Sequence, residues 1–232
     1  MSTRTGLPKL DTSNLWDKSY NILKEKIIRR EFLANEKLSI PELAEQLGVS
    51  RTPIRDALNR LEMDGLVKTV SKVGTFVNAI EIEDVQNIMD TRLMLEFWVA
   101  DKIAAQTKDQ IQQEVVTMEQ ILQTSKENIE ILPLDTYLQY DYNMAFHLEY
   151  MNIGKNKRNM EIYKSIMNYR FLAAQASLIT KEMVTTALEQ HTAILHAVKE
   201  GSMYDIKTMI KLHLDDSKMR LLEKIHANGG AI

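Results

Sequence analysis

The chain has 232 residues, of which 26% are charged and 44% hydrophobic, with a formal net charge of −3 and no cysteine. That length builds one large or two modest domains, and the missing thiols exclude disulfides and thiolate metal sites. No apolar run approaches the length of a membrane span and the first residues lack the apolar core of a secretory signal, so a cytoplasmic protein without a membrane partner is expected. Charge is uneven: residues 1–78 hold 13 Lys and Arg against 10 Asp and Glu, whereas the remainder holds 16 against 22. A mildly basic front and an acidic rear suit a protein that meets nucleic acid at one end.

Residues 1–12 are polar and contain Gly6 and Pro8, and read as a flexible arm. A first helix is predicted from Asn14 to Arg30, with Leu15, Tyr20, Leu23, Ile27 and Ile28 turned inward. Ser39-Ile-Pro-Glu42 has the spacing of a capping box and opens a second helix with Leu43, Ala44 and Leu47 on its apolar side, ended by Gly48. In the next helix Ile54, Ala57, Leu58 and Leu61 recur at i, i+3, i+4 and i+7 and make one buried stripe. Arg51, Thr52, Arg55 and Asn59 are left on the outward face. Ser50 stands ready to cap it, Pro53 falls in the first turn, and Gly65 supplies the stop.

Two short helices around a Gly-containing turn, the second bearing Arg and Thr at its start, meet the geometric needs of helix-turn-helix docking. Leu66–Val70 and Thr75–Asn78 flank Ser71-Lys-Val-Gly74, which predicts a two-stranded wing with a glycine tip. The unit spanning 13–79 is therefore expected to be a winged helix-turn-helix that binds double-stranded DNA.

From Glu81 onward the texture becomes helical almost without interruption. Six helices are predicted, over about 82–106, 109–127, 134–152, 159–178, 181–200 and 203–225, with Ser202 capping the last. Short connections favour an antiparallel bundle over residues 80–226, and 227–232 read as a flexible tail. The fold class is mainly α, a winged helix-turn-helix followed by an all-α six-helix bundle.

Of the five histidines, His147, His191 and His213 share helical faces with apolar or aromatic neighbours and read as inward, whereas His196 and His226 read as surface residues. His147 is read on one face with Tyr140 and Asn143. Three imidazoles converging in a bundle core suit a divalent transition metal such as Zn, Ni, Fe or Mn. The alternative is a set of hydrogen-bonded core histidines around a metal-free pocket. Arg92 and Glu96 are equally readable as an i,i+4 ion pair or as part of a ligand site.

The run VSRTPIRDALNRLEMDGLV followed by VGTFV is similar to the DNA-binding domain of GntR-type transcription regulators. That resemblance implies that Ser50, Arg51, Thr52 and Arg55 make the main phosphate and base contacts, with Gly74 at the wing near the minor groove. Asn59, on the outward face, joins them as a DNA-binding candidate. The family usually carries Gly after its first helix and Pro-Gly before the second; here stand Arg30 and Ala34-Asn35. Asn adopts the left-handed conformation at modest cost, so the turn is expected to survive.

Arg92-Leu-Met-Leu-Glu96, Asn143-Met-Ala-Phe-His147 with Gly154-Lys-Asn156, His191-Thr-Ala-Ile-Leu195 and His213 resemble the FadR C-terminal ligand-sensing class, FCD, in its VanR-like branch. Members of that class commonly hold a metal through one Asp and three His. The resemblance implies His147, His191 and His213 as ligands, with Asn143 in the place of the Asp. Asp141, two residues earlier, is turned about 200° round the helix at ~100° per residue and does not substitute.

An Asn carbonyl leaves the dication uncompensated, so a small carboxylate effector is expected to complete the site, assisted by Arg92 and Tyr140. The whole reads as a homodimeric, ligand-responsive repressor on a palindromic operator. The alternatives are a metal-free regulator of a larger ligand such as an acyl thioester, and a metal-dependent enzyme tethered to a DNA-binding module. The second is disfavoured because Glu149 lies about 200° round the helix from His147 at ~100° per residue, leaving no acid–base group at the site.

Overall fold

The computed structural model describes residues 13–28, 31–168 and 179–227. Predictions for the arm at 1–12, for 169–178 and for most of the tail lie outside them. The chain divides into two compact units, Met1–Asn78 and Ala79–Ile232.

In the first unit, helix α1 (Ser13–Ile28) packs on α3 (Arg51–Met63). Tyr20, Leu23 and Ile27 are buried as their spacing predicts, but Leu15 is 43% exposed. The helices are also tied by polar groups: the Tyr20 hydroxyl donates to Asp64, and the Arg60 guanidinium lies 4.3 Å over the Tyr20 ring. Burial, followed by the Asp64 carboxylate, pushes the Tyr20 phenol well above its ordinary range.

Helix α2 (Ile40–Leu47) ends on Gly48, whose φ of 64° lets its N–H and that of Val49 return to the last turn. Helix α3 ends in the same way through Gly65: Leu66 N–H bonds the Leu61 carbonyl and Gly65 N–H that of Glu62. The serine caps predicted for both helices are not made by their side chains. A cap hydroxyl engages the second or third backbone N–H, and proline removes one of them in each helix, Pro41 at the second position and Pro53 at the third.

The wing consists of β2 (Val67–Val70) and β3 (Gly74–Val77), paired antiparallel from Val67 opposite Val77 to Val70 opposite Gly74. A third strand unforeseen from sequence, β1 (Lys37–Leu38), pairs with β3 and gives the order β1-β3-β2. Two residues are too short for alternation to register, and only Leu38 is buried. Asn35 takes φ 62° as expected, and its N–H and that of Val77 bracket the start of β1 through the Val77 and Glu36 carbonyls.

In the second unit the helices are α4 (Ile82–Ala104), α5 (Lys108–Glu114), α6 (Val116–Ile131), α7 (Leu134–Leu138), α8 (Tyr142–Ile153), α9 (Lys157–Met167), α10 (Lys181–Glu200) and α11 (Met203–Ala227). Among the described residues two of the six predicted runs are each broken once, and the helix of the fourth, predicted to 178, stops at Met167. The second breaks at fully buried Val115, where consecutive β-branched residues weaken the helix. The third breaks at Asp141, which takes φ 43° and caps α8 by accepting the Met144 N–H. The fourth starts earlier than predicted because Asn156 caps α9 through Arg158 and Asn159 N–H. Helix α10 has the predicted bounds, and Ser202 accepts the Asp205 N–H at the start of α11.

The core forms where α4 packs on α11 and α8, and α10 packs on α11 and α6. Gly154, between α8 and α9, sets how closely these helices approach α4. A Cβ there would stand 2.6 Å from Trp98 Cζ3 and 3.2 Å from Val99 Cγ2. Gly154→Ala is therefore expected to lower stability by about 1–3 kcal/mol through overpacking, read as the denaturant midpoint of the full chain. An unchanged midpoint would show that Trp98 moves aside freely.

Candidate functional site

In the first unit Ser50, Arg51, Thr52, Arg55 and Asn59 are all exposed along α3, as predicted, while Ile54, Ala57, Leu58 and Leu61 anchor the opposite face. Because the Ser50 hydroxyl is not consumed as an internal cap, the positive end of the helix presents both that hydroxyl and backbone N–H groups outward. Such an end is suited to a phosphate.

The wing is held to this helix by Glu62, which accepts the Thr69 N–H at 2.6 Å and its hydroxyl at 3.0 Å. Thr69 in turn meets the Thr75 hydroxyl across the hairpin at 3.2 Å. Gly74 lies just past the wing tip rather than on it: the turn runs through Lys72 at φ 63°, and Gly74 opens β3 at φ 147°. The Lys37 side chain packs over Gly74, so that a Cβ there would meet its Cε at 2.6 Å. Lys37 and Lys72 are exposed cations on the wing sheet and its turn that were not among the predicted DNA-binding residues. For Lys37 the signal was a strand of two residues, too short to recognise.

In the second unit His147 from α8, His191 from α10 and His213 from α11 are buried together, and a ligand atom from each lies within 4.8 Å of the others. Phe146 stacks on the His191 ring at 4.4 Å between centroids, and His147 and His191 meet edge to face at 4.9 Å. The His147 and His213 Nε2 atoms are 3.1 Å apart. Around them Arg92 and Glu96 are 2% and 1% exposed and joined through Arg92 Nε and Nη2 to Glu96 Oε1 at 3.1 and 3.0 Å. Both predicted readings of Arg92 have a basis, because Nη2 also stands 3.3 Å from His147 Nε2.

The hydrogen-bond network assigns the ring protons. Arg donates only, so His147 Nε2 facing Arg92 is a lone pair, and its proton sits on Nδ1, toward Glu96 Oε2 at 3.7 Å. The Gln190 amide donates to Asp216 at 2.9 Å, which turns its Oε1 to His213 Nδ1 at 2.8 Å. An oxygen accepts, so His213 Nδ1 carries the proton and its Nε2 is also a lone pair. Burial first, then the His191 and His147 rings, hold the His213 imidazole well below its ordinary pKa and therefore neutral.

With acceptor nitrogens 3.1 Å apart, His147 and His213 are suited to share a cation. At metal–nitrogen bonds of ~2.0–2.1 Å, neighbouring ligands of a tetrahedral or octahedral ion stand about 2.8–3.4 Å apart, so the His147–His213 separation fits a transition metal, with His191 close by. Asn143 lies one helical turn before His147 on α8 and is half-buried. Tyr140 is 56% exposed and stacks on Tyr142. The face it was to share with His147 does not form, because Asp141 restarts the helix between them. Glu96, Gln190 and Asp216 complete the surroundings; Glu96 was legible four residues after Arg92, and Gln190 and Asp216 stand one residue before His191 and three after His213.

Known proteins bear on both units. The family model described as bacterial regulatory proteins, gntR family, matches residues 17–77, and that of the FCD domain matches 87–216. The chain is 26% identical over 221 residues to the Uxu operon regulator of Haemophilus influenzae, covering 87% of this chain and 80% of that protein. It is 22% identical over 202 residues to the transcriptional repressor GlaR of Escherichia coli, covering 84% and 90%. Its fold matches a GntR regulator crystal structure from Rhodococcus sp. RHA1 with a TM-score of 0.71 at 20% identity, covering 90% of this chain and 97% of that one. Both models and these relatives are those of regulators, so the tethered-enzyme alternative falls. No helix among the described residues is long and apolar enough to cross a membrane. With a gntR-type winged helix-turn-helix in its first unit and an FCD domain in its second, the chain belongs to the GntR family of DNA-binding transcriptional regulators.

Proposed function

We propose that this regulator is a cytoplasmic homodimeric repressor that reads a palindromic operator through Ser50, Arg51, Thr52, Arg55 and Asn59, with Gly74 shaping the wing. Its FCD domain holds a divalent transition metal through His147, His191 and His213, with Asn143 as a neutral fourth donor, and takes a small carboxylate as effector. The gathering of three buried imidazoles, with a ligand atom from each within 4.8 Å of the others, is the single observation that carries the metal reading. A bound ion would supply a Lewis-acidic point for an anionic ligand. The similarity to GlaR, itself named a repressor, supports the sign of regulation.

Charge favours an anionic effector. Arg92 and Glu96 cancel, and three neutral imidazoles with an Asn carbonyl leave the ion's positive charge uncompensated. Arg92, beside His147, is near enough to meet a carboxylate arriving at the cluster. Effector binding acts by population shift between dimers that fit the operator and dimers that do not, and the effector must favour one of them. Tyr140, exposed and on the far side of the helix break, has no part in this proposal.

Two measurements test this reading. Arg51→Ala and Arg55→Ala should each weaken operator binding by about 10-fold or more and reduce the slope of log affinity against log salt by roughly one where a phosphate contact is lost. Unchanged affinity in both variants would remove α3 as the reading element. Elemental analysis of protein purified without chelator should give near-stoichiometric metal, lost in His147→Ala and held more tightly in Asn143→Asp. If thermal shifts with a panel of small carboxylates are the same with and without the metal, the coordinated effector is excluded and a larger, metal-independent ligand takes its place.

A further inference from the structure

The His213 imidazole is not oriented by its own helix alone. Its Nδ1 donates to Gln190 Oε1 at 2.8 Å, Gln190 Nε2 donates to Asp216 Oδ2 at 2.9 Å, and Arg220 donates to the same Asp216 oxygen. Arg220 also reaches the Met183 carbonyl in the first turn of α10 at 3.4 Å. The chain of bonds therefore runs from α11 to α10 and back, and spans the two helices that carry His191 and His213.

Its order is chemically directed. A carboxylate accepts only and a guanidinium donates only. Arg220 therefore keeps Asp216 an acceptor, Asp216 holds the Gln190 amide nitrogen, and the Gln190 oxygen is left for the ring. Burial would raise the Asp216 carboxyl, but bonds from Gln190 and Arg220 keep it below its ordinary range. Without this relay a buried neutral histidine is free to place its proton on either nitrogen. A proton on Nε2 would turn a ligand atom into a donor.

We propose that Gln190, held by Asp216 and Arg220, is a positioning residue that locks His213 as the Nδ1–H tautomer and delivers its Nε2 lone pair to the histidine cluster. The inference rests on the metal reading only for the purpose of that lone pair; the tautomer itself is a property of the metal-free chain. Side chains of this kind around a metal site change affinity by about 10–100-fold when removed. Gln190 precedes His191 directly, so one turn of α10 supplies both a ligand to the cluster and the orienter of another ligand.

The test uses the full chain, stripped of metal and labelled with 15N-histidine, and reads each ring by long-range 1H–15N correlation. The wild type should show His213 as the Nδ1–H form. Gln190→Met, of similar size but without an acceptor oxygen, should move the proton wholly or partly to Nε2, while exposed His196 stays unchanged. Zinc affinity by chelator competition should fall about 10–100-fold in step. Asp216→Asn, which frees the Gln190 amide to turn over, should give a mixed tautomer and a smaller loss, and covers the case in which Gln190→Met folds poorly. In the double variant Gln190→Glu with Asp216→Asn, acceptor and donor again face the right atoms, and the Nδ1–H form and zinc affinity should return. A wild type that lacks zinc binding but keeps the Nδ1–H form removes the metal reading and leaves the positioning role standing. A proton that stays on Nδ1 in both single variants, or a double variant that restores nothing, overturns the proposal.

Discussion

An ion pair sits where a hydrophobic core would ordinarily exclude one. Arg92 and Glu96, one helical turn apart on α4, are almost wholly withdrawn from water. Desolvating two charges costs several kcal/mol per ion, and their mutual attraction offsets that only when the remaining polar atoms are also satisfied. The neighbours do this: Tyr163 donates to Glu96 Oε1 at 2.7 Å, and Tyr150 donates to the Glu96 backbone carbonyl at 2.8 Å. Burial and the nearby Glu96 raise the Tyr150 phenol well above its ordinary range, so it remains a donor. Removing either charge alone would leave the other buried, at about 3–5 kcal/mol.

This pair also gives the histidine cluster its polarity. Arg92 faces one nitrogen of His147 and Glu96 the other, so one α4 turn orients a ring from α8. Gln190 does the equivalent for His213 from α10. His147 and His213 are thus each aimed by a residue from a different helix. The cluster is a property of how α4, α8, α10 and α11 pack, and the close approach of α4 to Gly154 is part of that packing.

The DNA-binding unit follows a different logic, in which local chemistry is left incomplete at the N-terminal end of α3. Proline at the third position of α3 withholds a donor from Ser50, and glycine at the other end closes the helix with backbone bonds alone. One terminus is sealed by backbone bonds, and the other carries no side-chain cap. Glu62, near the sealed end, clasps the wing through the Thr69 N–H and hydroxyl, so the hairpin is held to the helix.

Helical periodicity, glycine stops and the order of motifs were enough to read the winged helix-turn-helix, the all-α second unit, the outward face of α3 and the three inward histidines. These depend on side chains within one or two turns, which sequence spacing encodes directly. The helix breaks at Val115 and Asp141, the two-residue strand β1 and the exposure of Tyr140 were not legible, because backbone choices between near-equal local conformations are settled by packing partners. The tautomers could not be read at all: His147 and His213 are separated by 66 positions and Gln190 and His213 by 23. Which nitrogen carries a proton is decided by the donor or acceptor that faces it, and the facing atom is chosen only when the helices come together.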